Sequence, residues 1–222
     1  MTAMDIQPRA TGGEAPAEPW RVHAVEPRSR ANGPGERFVI WSQGCTLGCP
    51  GCFNPGTHPM SGASAAAGLP AADLAAAAAA QAGSIEGVTL TGGEPMQQAA
   101  AVAVFCRELR ARSDLGIIVL SGYTRAEIEA DPARLAAVAD ADMVIAGRYN
   151  RSQHLGSGLR GSSNKQYWAR TGRYRAGDFD TVPDLEIAIA ADGTITVSGM
   201  PDRPVTIGGS SRQPPAGPEP WR

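Results

Sequence analysis

The chain has 222 residues, 42% of them hydrophobic, and a formal net charge of −2 at pH 7. This length and composition fit one globular domain with a core of its own, and the small net charge excludes global attraction to nucleic acid or an anionic membrane. No stretch is apolar for long enough to be a secretory signal or a bilayer span, so we expect a cytoplasmic protein without nucleic-acid or membrane partners. Residues 1–20 and 207–222 lack periodicity and are predicted to be disordered tails beside a core of residues 21–182.

The first strand is predicted over residues 37–42, and it enters a glycine-rich loop that holds three of the four cysteines. Cys45, Cys49 and Cys52 lie so close together that metal or cluster binding is favoured over disulfides. A [4Fe–4S] cluster normally takes four cysteine ligands, so three predict a cluster whose fourth iron is reserved for a substrate or cofactor. The alternative is structural zinc with His58 or Cys106 as the fourth ligand.

After the loop, helices and strands alternate. Helices are predicted over residues 71–82, 96–112 and 125–139, and strands over residues 87–91, 116–121 and 142–146. This order predicts an α/β fold with a parallel sheet and right-handed crossovers, in which sites gather at the C-terminal ends of the strands. The cysteine loop and the turns at 92–95 and 121–123 would then share one edge. A β-hairpin extension with an Asp-Gly turn is predicted within residues 183–206.

The cysteine motif together with Gly92-Gly93-Glu94-Pro95 resembles the radical S-adenosylmethionine superfamily, whose cluster motif is Cys-x3-Cys-x2-Cys. The setting is most similar to the activating enzymes of anaerobic ribonucleotide reductase. The matching segments are Asn-Gly-Pro-Gly-Glu-Arg at 32–37, Cys-Pro-Gly-Cys-Phe-Asn at 49–54, Ser-Gly-Tyr-Thr at 121–124 and Arg-Gly-Ser-Ser-Asn at 160–164. Ala146-Gly147-Arg148 departs from the Asp-Gly-Lys that the family commonly has.

The resemblance implies an incomplete, open (β/α) barrel of the radical S-adenosylmethionine type, with a [4Fe–4S] cluster and S-adenosylmethionine at the C-terminal edge of the strands. The implied iron ligands are the three loop cysteines. Gly92 and Gly93 would approach the methionine amino group, and Glu94 would balance its charge. The full set of implied contacts with S-adenosylmethionine is Gly51, Cys52, Phe53, Gly92, Gly93, Glu94, Ser121 and Tyr123. Phe53 could equally belong to the core, and Ser121 and Tyr123 could equally be an ordinary strand end.

The implied activity is reductive cleavage of S-adenosylmethionine to a 5′-deoxyadenosyl radical that generates a glycyl radical on a reductase partner, with a flavodoxin- or ferredoxin-like electron donor. Residues 32–35 and 160–166 would line the substrate side. One alternative is a radical enzyme that modifies a peptide or small metabolite, and another is a non-catalytic zinc or iron–sulfur module. Cys106 lies in a predicted helix, where an isolated cysteine is usually a small buried residue without a role in chemistry.

Overall fold

A computed structural model of the chain describes residues 19–60, 68–189, 193 and 195–200. The predicted tails lie outside this part except for Pro19 and Trp20, and Trp20 is a fully buried residue that begins the first strand. Residues 201–206 of the predicted extension and Asp192 of its turn also lie outside it. Within the described residues, no helix has the length and apolar character needed to cross a bilayer.

Strands and helices alternate along the described chain. The strands are β1 (Trp20–Ser29), β2 (Arg37–Ser42), β3 (Gly68–Leu69), β4 (Gly87–Gly92), β5 (Gly116–Ser121), β6 (Met143–Ala146), β7 (Gln166–Ala169), β8 (Leu185–Ile189) and β9 (Ile195–Gly199). The α-helices are α1 (Ala71–Ala79), α2 (Ala99–Arg112), α3 (Arg125–Glu129) and α4 (Pro132–Ala137). β1 to β7 form one sheet in the order β3-β1-β2-β4-β5-β6-β7, and β8 pairs with β9.

The centre of the large sheet is parallel. β2, β4, β5 and β6 are hydrogen-bonded neighbours in that order, and their bounds agree with the predicted strands to within one residue. β1 and β7 have no counterpart among the predicted strands, and they flank the centre in antiparallel orientation. The sheet is therefore mixed, and the prediction of a parallel sheet is wrong at its edges.

Two predicted helices are interrupted in the structure, and the helix predicted over 71–82 ends earlier, at Ala79. The helix predicted over 125–139 is two helices, because Pro132 has no N–H to donate and Asp131 caps α4 by accepting the Ala133 N–H at 2.9 Å. The helix predicted over 96–112 begins with a 3₁₀ turn, Pro95–Gln98, before α2 starts. Each interruption lies where a side chain that caps the next helix directly precedes a proline.

The two faces of the sheet have separate cores. The helices cover one face, where Trp20, Phe38 and Phe105 are fully buried. Residues on both sides of β7 in the sequence cover the other face, where Ile118, Leu120, Met143 and Ile145 are buried beneath Leu159, Tyr174 and Phe179, with Met200 packed at the side. Space for ligands on this face is therefore confined to the ends of the strands.

A buried arginine organises the N-terminal edge of the sheet. The Arg37 guanidinium is inaccessible to solvent and donates to the Thr89 hydroxyl, to the Tyr174 hydroxyl and to the backbone carbonyls of residues 34, 88 and 116. These bonds join the loop before β2 to the beginnings of β4 and β5. Because every acceptor is a neutral oxygen, the network satisfies the guanidinium without a buried carboxylate.

The β8–β9 pair is attached at the same edge. Ser29 donates its hydroxyl to the Glu186 carboxylate at 2.6 Å, and Asn32 donates its amide to the Ser198 hydroxyl at 2.7 Å. Residues 32–35 thus lie at the N-terminal ends of the strands, opposite the cysteine loop that follows β2. The prediction that this segment lines the substrate side is wrong, because its turn serves to anchor Arg37 and the hairpin.

Candidate iron–sulfur site

The cysteine loop follows β2 directly and is closed by its own backbone. The Gly44 N–H donates to the Thr57 carbonyl at 2.7 Å, and the Cys45 N–H donates to the His58 carbonyl at 3.1 Å. Residues 44–45 and 57–58 therefore run side by side and form the neck of the loop. Beyond this neck, three free and partly exposed thiols are collected on one short segment.

Backbone groups turn toward the sulfur atoms inside the loop. The Cys52 N–H donates to the Cys49 carbonyl at 3.2 Å, and the Asn54 N–H donates to the Cys52 Sγ at 3.4 Å. Gly51, between them, has φ +71°, a left-handed conformation that side chains other than glycine rarely adopt. Hydrogen bonds to cysteine sulfur are among the features that set the reduction potential of an iron–sulfur cluster.

The donor set fits an iron–sulfur cluster. Burial raises the pKa of the Cys45 and Cys52 thiols, and backbone N–H bonds to their sulfurs oppose that rise, so binding a metal at neutral pH must release protons. In the part of the chain that the structure describes, no group of three His, Cys, Asp or Glu side chains is placed to hold a single metal ion. Cys106 is 1% exposed within the helix-side core, so the expectation that it could be a fourth zinc ligand is wrong.

The Gly-Gly-Glu turn packs directly against the neck of the loop. The Gly93 N–H donates to the Ser42 carbonyl at 2.8 Å, and the Glu94 N–H donates to the Gly44 carbonyl at 2.9 Å. A Cβ atom on Gly93 would lie 2.5 Å from the Gly44 carbonyl oxygen, so only glycine allows this approach. The structure thus brings together the two motifs that the sequence places 40 or more residues apart.

The Glu94 carboxylate is buried and satisfied by the protein. One oxygen accepts the Met96 N–H at 2.9 Å and the Ser121 hydroxyl at 2.8 Å, and the other accepts the Gly122 N–H at 2.7 Å. Burial raises the pKa of Glu94, and these three hydrogen bonds oppose the rise. Glu94 therefore joins the end of β4 to the end of β5, and its contact with S-adenosylmethionine stays a prediction.

Two glutamines that the sequence analysis does not single out hold the loop in place. Gln97 accepts the Thr46 N–H at 3.2 Å and donates to the Thr46 hydroxyl at 2.7 Å. Gln98 donates to the Gln43 carbonyl at 3.1 Å and accepts the Arg21 N–H at 2.8 Å. Their only sequence signal is their position immediately after the Gly-Gly-Glu-Pro turn.

The remaining predicted residues lie on either side of the loop. The Phe53 ring packs on Tyr149 and His154 at centroid distances of 4.8 and 5.4 Å. Gly161 lies next to the Phe53 and Tyr149 rings, so the 160–166 segment lies beside the cysteine loop. The Tyr123 ring instead lies against Arg134 at 3.9 Å. Contacts of Phe53, Ser121 and Tyr123 with a nucleoside stay predictions, as does that of Gly51.

A cavity opens between the cysteine loop and the ends of β6 and β7. It has a volume of about 370 Å³. Its lining comes from the loop and from the segments that flank these strands: Pro50, Arg148, Tyr149, Asn150, Arg151 and Asn164. Two of the lining residues, Arg148 and Arg151, are cations. None of the lining residues is among the predicted contacts with S-adenosylmethionine, and Asn164 belongs to the segment 160–166 that is predicted to line the substrate side.

Comparisons with known proteins agree with this site. Residues 31–168 match the family described as 4Fe-4S single cluster domain. The chain is 30% identical over 148 residues to the anaerobic ribonucleoside-triphosphate reductase-activating protein of Pasteurella multocida, covering 63% of this chain and 90% of that protein. It is 28% identical over 150 residues to the protein of the same name from Enterobacteria phage T4, covering 66% of this chain and 92% of that one.

A shorter match involves a second kind of activating enzyme. The pyruvate formate-lyase-activating enzyme of Listeria monocytogenes is 51% identical over 37 residues, 17% of this chain and 15% of that enzyme. The solved structure of QueE from Escherichia coli has a TM-score of 0.40 and 14% identity, covering 60% of this chain and 72% of that one, a similarity too low to argue from. The matches confirm the predicted superfamily and its two cofactors, the [4Fe–4S] cluster and S-adenosylmethionine.

Proposed function

The chain belongs to the 4Fe-4S single cluster domain family and, within it, to the radical S-adenosylmethionine activating enzymes, and from this we propose that it generates a glycyl radical on a partner reductase of the anaerobic ribonucleotide reductase kind. The observation that carries the proposal is the clamp between the cysteine loop and the Gly-Gly-Glu turn at the C-terminal edge of the sheet. The chain matches nearly the whole length of the reductase-activating relatives. The proposed class of partner is therefore taken from these relatives.

The chain's own residues bind and orient the cofactors. Cys45, Cys49 and Cys52 would hold three irons, and the backbone at Gly92 and Gly93 would face the methionine end of S-adenosylmethionine. When bound, the cluster would supply the electron for reductive cleavage of S-adenosylmethionine, chemistry that would yield methionine and a 5′-deoxyadenosyl radical able to take a hydrogen atom from the glycine Cα. The protein fixes the geometry, since the neck bonds and the two glutamines hold the loop before any substrate arrives.

Access to the site favours a macromolecular substrate. The three thiols are partly exposed, and the cavity beside the loop opens at the same edge of the sheet. We propose that the open sheet is the incomplete (β/α) barrel of this superfamily, with its unclosed side admitting a loop of the partner. A flavodoxin- or ferredoxin-like protein would deliver the electron at this same exposed edge.

The test is an anaerobic assay of the reconstituted protein with S-adenosylmethionine and a strong reductant. We expect 5′-deoxyadenosine by chromatography and, when a glycyl-radical reductase is added, an electron paramagnetic resonance signal split by the remaining glycine α-hydrogen. Cys52→Ala should abolish both signals, whereas Cys106→Ala, a matched cysteine variant in the core, should keep both.

The possible outcomes separate the three functions considered. 5′-Deoxyadenosine without a protein radical, across candidate reductases, would contradict the reductase partner and favour a peptide or small-metabolite substrate. Absence of 5′-deoxyadenosine from a protein with a verified, reduced four-iron cluster would contradict radical chemistry and favour a binding module.

A further inference from the structure

Lys165 is the only lysine in the chain, and the other 19 of its 20 lysine and arginine residues are arginines. It lies immediately before β7, and its backbone N–H donates to the Ser162 carbonyl at 3.2 Å. The Lys165 Cα is 3.4 Å from the point where a Cβ on Gly147 would lie, so the lysine sits across from the end of β6. It therefore occupies the same edge of the sheet as the cysteine loop.

The surroundings of Lys165 connect it to the iron–sulfur site. Its neighbour Asn164 lines the cavity together with Pro50, the residue between two of the cluster cysteines. Among the residues that the structure describes, none forms a hydrogen bond or ion pair with its ammonium group, while Arg148, two residues after β6, is paired with Glu127 at 2.6 Å. Lys165 thus keeps its charge free where the arginine beside it does not.

The charges near Lys165 are negative. Burial lowers the pKa of Lys165, and attraction of the ammonium by Glu94, Cys49 and Cys52 opposes that fall. Glu94 is already satisfied by three protein donors, so the thiolates of a bound cluster are the negative groups on which the Lys165 charge would act, together with the charge of Arg148, which Cys49 also attracts. A cation in this position stabilises whichever state of the cluster is more negative.

We propose that the Lys165 ammonium is the charge that favours electron uptake by the [4Fe–4S] cluster held by Cys45, Cys49 and Cys52. One electron passes from an external low-potential protein reductant to the oxidised cluster. No bond is formed or broken and Lys165 keeps its proton, while the cluster with its three thiolates changes from one net negative charge to two. The inference rests on the cluster alone and does not require the proposed glycyl-radical partner.

The test is the midpoint potential of the reconstituted holoprotein, measured by a redox titration monitored by electron paramagnetic resonance. Removal of one unit charge at a separation on the order of 10 Å, with an effective dielectric constant of about 20, changes the equilibrium constant for reduction about tenfold. We therefore expect Lys165→Met to make the midpoint potential more negative by about 59 mV, the equivalent of tenfold for one electron. Lys165→Arg should restore most of the difference because it retains the charge.

Two further variants keep the test decisive. Lys165→Gln, with a neutral polar side chain, is measured in parallel in case the methionine variant does not retain four irons. Arg107→Met removes an exposed cation from the helix side and should leave the potential unchanged. A change of less than about twofold in both neutral Lys165 variants, or an equal change in Lys165→Arg, would overturn the proposal. Because no S-adenosylmethionine or partner is present, failure of the proposed function would leave this result unaffected.

Discussion

Glu94 offers the sharpest test of how the site is supported, because its carboxylate accepts three hydrogen bonds from two strand ends without access to solvent. Glu94→Ala leaves the Met96 N–H, the Gly122 N–H and the Ser121 hydroxyl without their acceptor. Each buried donor left without its acceptor costs about 1–3 kcal/mol, so the three together should cost at least about 3 kcal/mol. Because domains are stable by only about 5–15 kcal/mol, this loss should be obvious in an unfolding experiment.

Glu94→Gln gives an intermediate case. One amide oxygen can still accept from Met96 and Ser121, but the amide nitrogen would face the Gly122 N–H, so one buried donor is left unpaired at about 1–3 kcal/mol. The measurement is urea unfolding of the cluster-free protein under reducing conditions, which separates stability from metal binding. Glu129→Ala, an exposed carboxylate paired with Arg125, is the control and should change stability by no more than about 0.5 kcal/mol. A cost below about 1 kcal/mol for Glu94→Ala would refute the reasoning.

Three other outcomes are expected from the structure. Burial raises the pKa of Cys106 to about 12, so iodoacetamide should modify three of the four thiols of the folded, cluster-free protein, as counted by mass spectrometry; four adducts would contradict this burial. Hydrogen bonds from Arg148 and Thr124 lower the pKa of Glu127 to about 2, so the stability that the ionised Glu127 contributes is present above pH 4.5 and is lost as the pH falls toward 2. Glu127→Gln should flatten the dependence of the unfolding free energy on pH in that window. An unchanged pH profile would count against a stabilising Glu127–Arg148 pair. Arg37→Met should destabilise the fold by about 3 kcal/mol or more in urea unfolding, because it leaves several buried acceptors without a donor. A cost no greater than that of a surface substitution would show that the hydrogen bonds of Arg37 are dispensable.

The sequence predicts the centre of the fold better than its edges. β5 is a continuous apolar run, and β4 alternates valine and leucine with threonines between glycines, so both patterns indicate strands. β7 is only four residues long, and its pairing with β6 depends on the chain reversing through residues 147–165, which no local pattern specifies. β1 does carry an alternating pattern at Trp20, Val22 and Ala24 that is typical of an edge strand, although its boundary with the tail obscures it.

The candidate site is likewise only partly predictable from the sequence. The three cysteines and the Gly-Gly-Glu turn can be predicted because their spacing is specific to one cofactor chemistry. The contributions of Gln97, Gln98 and Lys165 cannot, because a polar residue after a turn has no distinctive spacing and its role depends on which loop the fold brings against it. The Pro132 break is a case where a local signal was present, since a proline after an N-capping aspartate begins a new helix.

The second core also bears on when this protein can fold. The family match ends at residue 168, but Tyr174, Phe179 and Met200 complete the layer over Ile118 and Ile145. During synthesis from the N-terminus, that face of the sheet is not fully covered until Tyr174, Phe179 and Met200 have left the ribosome. The segment that follows β7 is thus the last part of the domain's interior to be synthesised, and a chain ending at the family boundary would expose an apolar face of the sheet.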